Sequence, residues 1–599
     1  MATMIYNVTA VLMDGGHTVL PGAYVVVDGH RITDFGAQRP QGFTGKCIDG
    51  KGGILMPGLV NAHTHVPMTA MRGYGDGHDL HEWLNQYIFP VEAKWDDRAV
   101  RACAALGLAE MISSGVTCIA DMYMHTDAVL REVDAAGLSA NVCCGGVQFE
   151  EAFDPEKNHD CIVQRELTEK WHGRDDGRIR VDASLHAEYT SREGLCRWMA
   201  RFAADHGLGM HVHLSETRKE HEECKLRHGG LTPAAYLAGL GVFDVRAIAA
   251  HCVWTTPEDW SVMASKGVSA IHNPMSNLKL GSGIAPVPAM GKAGVNVCLG
   301  TDGVSSNNCT DFFGDLKLAA ILQNGVRHDP MALTAWDALE MATVNGGKAL
   351  GRKTGRIEKG YDADLILLDA EAVNLIPCHD AANNLAYAAH GSNVVMNMAR
   401  GKVIYKNGEF LTIDIERGTS LGVMDQLVAG KLDMAFIAHI ISPFSKASNI
   451  DAYQLDHYRL YTLVVDNYHA IVSRRHRFAG LDVVTWQDLA EEKLVILDKS
   501  YGLNAIIRES FRQCGLRPNI AFECDQVDAI LGMVEGNFGI SILSKRIAAT
   551  QYDVEAIPID PPISRNTVLV VPKEVEARQR LAGGFVRHIV DYYRDNTPG

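Results

Sequence analysis

The stretch 55-LMPGLVNAHTHVPMTAMRGYG-75 sets His63 and His65 two residues apart at the end of an apolar run. Side chains at i and i+2 of a strand leave the same face, so a strand ending here aims both imidazoles at one point. Two convergent imidazoles are the start of a metal site. They are equally compatible with two core histidines, because a chain with 25 His contains such pairs by chance. The rest of the chain decides.

Downstream, β-like runs alternate with helical stretches such as 97-DRAVRACAALGLAEMISSG-115, the rhythm of β-α units and a parallel sheet. Strands are expected at 55–63, 117–123, 139–147, 178–186, 209–216, 246–254, 267–274 and 296–303. Eight units within residues 55–354 predict an α/β fold, a (β/α)8 TIM-type barrel with its active site at the C-terminal ends of the strands. Residues 1–54 alternate apolar and polar positions around Gly-rich turns, and the same texture returns in 355-GRIEKGYDADLILLD-369 and 397-NMARGKVIYKNGEFLTID-414. One small β-sandwich domain built from both flanks, 1–54 and 355–415, is the economical reading.

That geometry orders a scatter of polar residues. His63, His65, His186, His213, His251 and Asp302 all fall at strand ends and would face one barrel mouth. Three imidazoles and a carboxylate, His63, His65, His213 and Asp302, suit one divalent ion, Zn2+ first and Fe, Mn or Ni as alternatives, with a position left for an activated water. The fourth strand has no Lys to bridge two metals, so one ion is the simpler count. His211 shares a strand face with His213 and spacing does not separate them; His213 is preferred because it lies nearer the catalytic end. Glu216, three residues on, is placed to shuttle protons, His251 to bond the water or a developing oxyanion, Asp302 to accept the water's proton, and His186 to touch substrate. Singly, Glu216 also reads as a helix-initiating carboxylate, His251 as a core histidine and Asp302 as a turn residue.

Composition sets the bounds. At 599 residues the chain exceeds one ordinary domain, and its formal charge of −16 gives no footprint for nucleic acid, so a small-molecule substrate is expected. Fourteen Cys without a C-x-x-C pair, no signal-like start and no apolar run of spanning length predict a cytoplasmic protein without membrane association. Homo-oligomerisation is compatible with all of this.

Residues 1 to about 412 resemble the amidohydrolase superfamily, in its branch of S-adenosylhomocysteine and 5'-methylthioadenosine deaminases. The motifs are MPGLVNAHTHVPMTAMRGYGD, HEWLNQYIFPVEAKW, LAEMISSGVTCIADMY, HVHLSETRKE, IAAHCVW, HNPMSNLKLGSGIAPVPAM, GTDGVSSNN and GYDADLILLD. The resemblance implies a one-metal hydrolase with His63, His65, His213 and Asp302 as ligands, Glu216 and His251 acting on the water, and Trp83, Glu92 and His186 on the substrate, Glu92 receiving ribose hydroxyls. It departs from the pattern twice. Relatives commonly carry Arg after the third strand and Pro soon after the substrate His, where this chain reads NVCCGGVQFEEAFDP and SLHAEYTS. The carboxylates Glu150, Glu151 and Glu188 there predict an acidic rim, Glu188 touching the substrate, that disfavours a carboxylate tail and favours a neutral or cationic substrate.

Residues 417–599 resemble the effector-binding domain of LysR-type regulators through GTSLGVMDQLVAGKLDMAFI, the stretch from VVTWQDLAEEKLVILDKSYGLN to EGNFGISILS, and GFVRHIVDYYRD. That resemblance implies a partial, two-lobed α/β domain of periplasmic-binding-protein type holding a small effector, with Thr419, Ser420 and Ser500 as candidate contacts; each also reads as a helix cap. It enters after the usual first strand and helix, and no helix-turn-helix precedes it, so DNA binding is not expected.

Taken together, these readings predict a deaminase of an aminopurine-like base or nucleoside. Two others stand beside it: opening of a cyclic amide or another C–N hydrolysis at the same site, and a ligand sensor in which the barrel is scaffold.

Overall fold

A computed structural model of the chain describes residues 2–410, 418–441, 443, 453, 455–545, 552–573, 586, 589–590 and 593–594. Its contacts divide the chain into two compact units, Met1–Ile413 and Asp414–Gly599.

In the first unit, Thr3–Val11 pairs antiparallel with Val19–Asp28 and parallel with both Lys46–Asp49 and Ile54–Pro57, at different points along its length. Ile54–Pro57 pairs in turn with Leu365–Leu368, and the sheet continues into Val394–Ala399, Lys402–Lys406 and Glu409–Phe410. One branched, nine-stranded sheet therefore draws on both flanks. The expected strand 55–63 is in fact two. Ile54–Pro57 belongs to this flank sheet, and the chain breaks at Gly58, where a Cβ would lie 2.2 Å from the Thr117 side chain.

The strands between the flanks pair only in parallel. Leu59–His65, Val116–Met122, Ser139–Cys143 and Ile179–Val181 follow one another in one sheet. Ala183–Leu185, Met210–Leu214, Ala247–His251, Ser269–His272 and Asn296–Leu299 follow in a second. The two sheets meet at both ends. A single residue, Asp182, separates Val181 from Ala183, and Asp302–Gly303, just past the last strand of the second sheet, pairs with Thr64–His65 of the first. Several of these strands are buried along their whole length, as parallel strands covered on both faces must be. Val60, Ala62, Cys118, Ala120, Ile248, Ile271 and Cys298 form one enclosed apolar cluster with Ala349 and Leu350. On the same strands the polar residues come later, toward the C-terminal ends.

Asp182 fills the gap in the fourth strand. Its carboxylate accepts from Arg246 Nη2 at 2.5 Å, Asn141 Nδ2 at 2.8 Å and Gly209 N at 3.0 Å. Burial alone would raise its pKa, but the Arg246 charge and these donors bring it down to about 2.

In the second unit the 16-residue strand Tyr458–Ser473 pairs along its first part with Ser564–Pro572, which also pairs with Ala435–Ile441. Its last residues pair with Val554–Asp560 and Ser541–Ser544. A separate parallel pair joins Leu494–Leu497 to Ile520–Cys524. Its larger apolar core gathers around Phe511, Trp486 and Ile530, and smaller ones around Met424 and Leu569. The linker stretch FLTIDIE lies, apart from Phe410, outside the described residues. Among the described residues no helix is long and apolar enough to cross a membrane, and all fourteen cysteines are free thiols.

Candidate active site

His63, His65, His213, His251 and Asp302 converge at the ends of their strands. Ligand atoms of His63, His65 and His213 lie within 4.8 Å of one another, as do those of His63, His251 and Asp302. Asp302 Oδ1 stands 3.2 Å from His65 Nε2 and 3.4 Å from His63 Nε2, and His65 Nε2 stands 3.3 Å from His213 Nε2. The backbone turns sharply where these side chains are presented. Ser215, His251 and Asp302 adopt left-handed φ values of 47°, 73° and 63°, which cost non-glycine residues on the order of 1 kcal/mol or more.

Each imidazole is fixed through its far nitrogen. His65 Nδ1 donates to the Met122 carbonyl at 2.5 Å, and His213 Nδ1 to the His186 carbonyl at 2.7 Å. With those protons committed, the two facing Nε2 atoms carry bare lone pairs 3.3 Å apart, which repel unless a cation or a proton lies between them. His63 Nε2 is buried with no hydrogen-bond partner, while its Nδ1 meets His211 Nε2 at 2.8 Å. Burial lowers the pKa of His65, but the Asp302 carboxylate outweighs this and pushes it up to about 9. Three inward Nε2 atoms, one of them orphaned, beside a carboxylate fit a divalent cation.

The His211 side chain, which spacing could not separate from His213, sits behind His63, 1% exposed and with its Nδ1 3.5 Å from Cys143 Sγ. Asp302 is steadied by Ser276 Oγ and Ser306 Oγ, which donate to Oδ2 at 2.5 and 3.0 Å and leave Oδ1 toward the imidazoles. Glu216 is 6% exposed, and burial raises its pKa above the ordinary glutamate range. Its Oε2 is 3.6 Å from His251 Nε2, and Ser282 Oγ donates to Oε1 at 3.3 Å. His251 Nδ1 lies 2.8 Å from Asn277 Oδ1 and 3.3 Å from Asn273 Nδ2. Ser276, Asn277 and Ser282 belong to HNPMSNLKLGSG, a stretch whose sequence carries no obvious metal-ligand spacing.

A cavity of about 580 Å³ opens over this group, lined among others by His65, His186, His213, Glu216, His251 and Asp302. Trp83 and Glu92 also line it. Glu92 accepts a 2.6 Å hydrogen bond from the Tyr123 hydroxyl, and burial holds its pKa up. Glu188 does not reach the cavity. Its carboxylate accepts from Arg227 Nη2 at 2.6 Å and meets His228 Nε2 at 2.7 Å, so its charge is already compensated inside the protein. Glu150 and Glu151 are exposed and likewise absent from the lining. The acidic rim expected from these three carboxylates is therefore corrected.

In the second unit Thr419 caps the helix Ser420–Val428, Ser420 Oγ accepts from Ala438 N at 3.1 Å, and Ser500 Oγ donates to Asp498 Oδ1 at 2.5 Å. All three hydroxyls have partners within the chain.

Residues 54–404 match the Amidohydrolase family, more than half of the chain. The chain belongs to that family. Residues 406–594 match the LysR substrate binding domain. Among relatives of this amidohydrolase, a 5-methylthioadenosine/S-adenosylhomocysteine deaminase of Acetivibrio thermocellus is 40% identical over 430 residues, 70% of this chain and 97% of the relative. A 5'-deoxyadenosine deaminase of Methanosarcina acetivorans is 39% identical over 69% of this chain and 95% of its own length. The crystal structure of an adenosine deaminase from Xanthomonas campestris with bound zinc matches with a TM-score of 0.65 and 33% identity, covering 72% of this chain and 96% of that one.

Proposed function

We propose that this amidohydrolase deaminates an adenosine-type nucleoside, and that its two parallel sheets are the halves of one (β/α)8 barrel over residues 55–354, flanked by the composite β domain of 1–54 and 355–415. The observation that carries the reading is the convergence of His63, His65, His213 and Asp302 beneath a cavity whose wall holds Glu216, His251 and Glu92. Three relatives or neighbours named as deaminases of adenosine or its derivatives support it.

His63, His65, His213 and Asp302 would hold one divalent ion, zinc by analogy with the neighbour, which when bound supplies Lewis acidity toward a water. Asp302 Oδ1, the oxygen not held by Ser276 and Ser306, takes the proton of the attacking water. Glu216, whose protonated form burial favours, delivers a proton to the ring nitrogen next to the amino-bearing carbon and regains one from the new hydroxyl as the C–N bond breaks, while the proton taken by Asp302 leaves on the amine as ammonia. His251 bonds the attacking oxygen, its ring set by Asn277 and Asn273. Glu92 accepts from ribose hydroxyls, with Tyr123 holding its other face, and Trp83 and His186 bound the base. Fourteen free thiols suit a reducing compartment. For residues 417–599 the reading is narrower: a ligand-binding module of LysR type, its long strand linking two lobes.

The test is ammonia release by zinc-loaded protein from adenosine, 5'-deoxyadenosine and 5'-methylthioadenosine. Turnover of at least one at steady state is expected. Failure on every aminopurine nucleoside, with opening of cyclic amides by the same preparation, would overturn the proposal in favour of the alternative hydrolysis.

A further inference from the structure

Of the carboxylates that line the first cavity, Glu92, Glu216 and Asp302 have proposed roles and Asp160 has none. It lies in the helix His159–Trp171, far in sequence from the histidine cluster, yet it lines the same cavity as His186, Glu216 and Asp302. Its Oδ2 accepts from Val147 N at 2.8 Å. Val147 follows Gly146, whose carbonyl accepts from His186 N at 2.9 Å, and the His186 carbonyl in turn orients His213. Asp160 is thus tied by two short backbone links to the reacting end. Among the described ion pairs none involves Asp160, whereas Asp182 and Glu188 are each matched by an Arg. Partial burial raises its pKa, and the Val147 amide and the neighbouring His159 offset that only in part.

The space does not end there. A second cavity of about 600 Å³ shares Met124, Cys144 and Asp160 with the first. Of its charged residues, Asp127 is paired with Lys170 and Arg131, and Asp97 with His125. That leaves Asp160 and Glu166 without an ion pair among the described residues, and His159, next to Asp160 in sequence, as the one further basic side chain of the lining, acting on Asp160 through space. A substrate with its reacting carbon over the histidine cluster and a substituent long enough to pass Cys144 would bring that substituent against Asp160.

Resting on the deaminase reading, we infer that Asp160 is the specificity-determining residue for the substrate's distal substituent, and that it selects an ammonium or hydrogen-bond-donating group over a carboxylate. An ammonium supplies the missing counter-charge, and a hydroxyl or amine donates to the carboxylate. A carboxylate would place like charges together in a poorly solvated space, the kind of mismatch that discriminates more strongly than a gained contact.

The experiment compares 5'-(3-aminopropylthio)-5'-deoxyadenosine with 5'-(2-carboxyethylthio)-5'-deoxyadenosine, two tails of similar length and opposite charge, by ammonia release and by calorimetric binding to zinc-loaded protein. The parent should favour the amine at least 10-fold. Asp160→Asn should cut that ratio 10-fold or more, and Asp160→Glu should keep most of it. Glu151→Gln, an exposed carboxylate outside the lining, should leave it unchanged. If neither compound is deaminated, the charge preference is still read from the two dissociation constants, and the proposed function is decided separately by its own substrate panel. Equal binding of both compounds to the parent, or an unchanged ratio in a folded Asp160→Asn protein, overturns the inference. Should Asp160→Asn fail to fold, loss of the preference in Asp160→Ser supports it and retention overturns it.

Discussion

His211 Nε2 meets His63 Nδ1 at 2.8 Å, so a histidine outside the ligand cluster sets the ring of one whose other nitrogen belongs to it. If the group holds a metal as proposed, the two histidines of HVH differ sharply. His213→Ala should abolish stoichiometric zinc, whereas His211→Asn should weaken zinc affinity about 10- to 100-fold, the usual cost of losing an orienting partner. Zinc titration against a chelating indicator measures both; equal losses would mean that the choice of His213 over His211 is wrong.

Glu216→Gln keeps shape and metal but removes the proton carrier. Turnover should fall about 10²-fold or more with an unchanged melting temperature. In the parent, burial raises the Glu216 pKa, so the protonated form that serves the ring nitrogen persists above the ordinary glutamate range and is lost as pH rises. The alkaline limb of kcat/KM that this loss sets should disappear in the variant.

Glu188 is expected to matter for stability rather than selection. Removing it leaves Arg227 without its buried acceptor, but Arg227 is about one-third exposed and can turn to water. Glu188→Gln should cost about 2 kcal/mol in denaturant unfolding, without changing the preference between amine and carboxylate substrates. A change in that preference would restore the acidic rim.

Asp182→Ala should destabilise the first unit by about 3–5 kcal/mol, since it strands Arg246 in a partly buried place. The sign with pH follows from a lowered native pKa. The Asp182 contribution is complete above the unfolded aspartate value of about 3.9 and is lost as pH falls toward about 2. The parent's acid unfolding between these limits should therefore be shallower in Asp182→Ala.

Residues 417–599 are expected to be dispensable for chemistry, because every proposed catalytic residue lies between His63 and Asp302. A chain ending at Ile413, the boundary between the two compact units, should keep its zinc and most of its kcat. Loss of turnover in a folded, zinc-loaded Met1–Ile413 would assign the C-terminal unit a part in catalysis.

Much of the site is legible because strand ends are. Period-two spacing placed His63 with His65, and the alternation of β and α runs gathered His186, His213, His251 and Asp302 at one end. What escaped depends on contacts between distant loops. Glu188 reads as an acid beside a substrate histidine, and only the packed fold brings Arg227 and His228 onto it. Asp160 reads as an ordinary N-terminal helix carboxylate, its side chain near the helix start where acids are common. His211 and His213 share a face, so alternation cannot tell an orienting ring from a facing one. The break at Gly58 was hidden by an apolar run that continues across two sheets.

The pairing of Asp302–Gly303 with Thr64–His65 has a temporal meaning as well as a spatial one. On the ribosome, a nascent chain that has released residues up to about 181 holds two of the four proposed ligands, and one released to about 300 holds three. The carboxylate that completes the set arrives with the last hydrogen-bonded contact that joins the two sheets. If the set holds an ion as proposed, its capture coincides with the joining of the two sheets, and a chain released short of Asp302 has no complete site with which to sequester it.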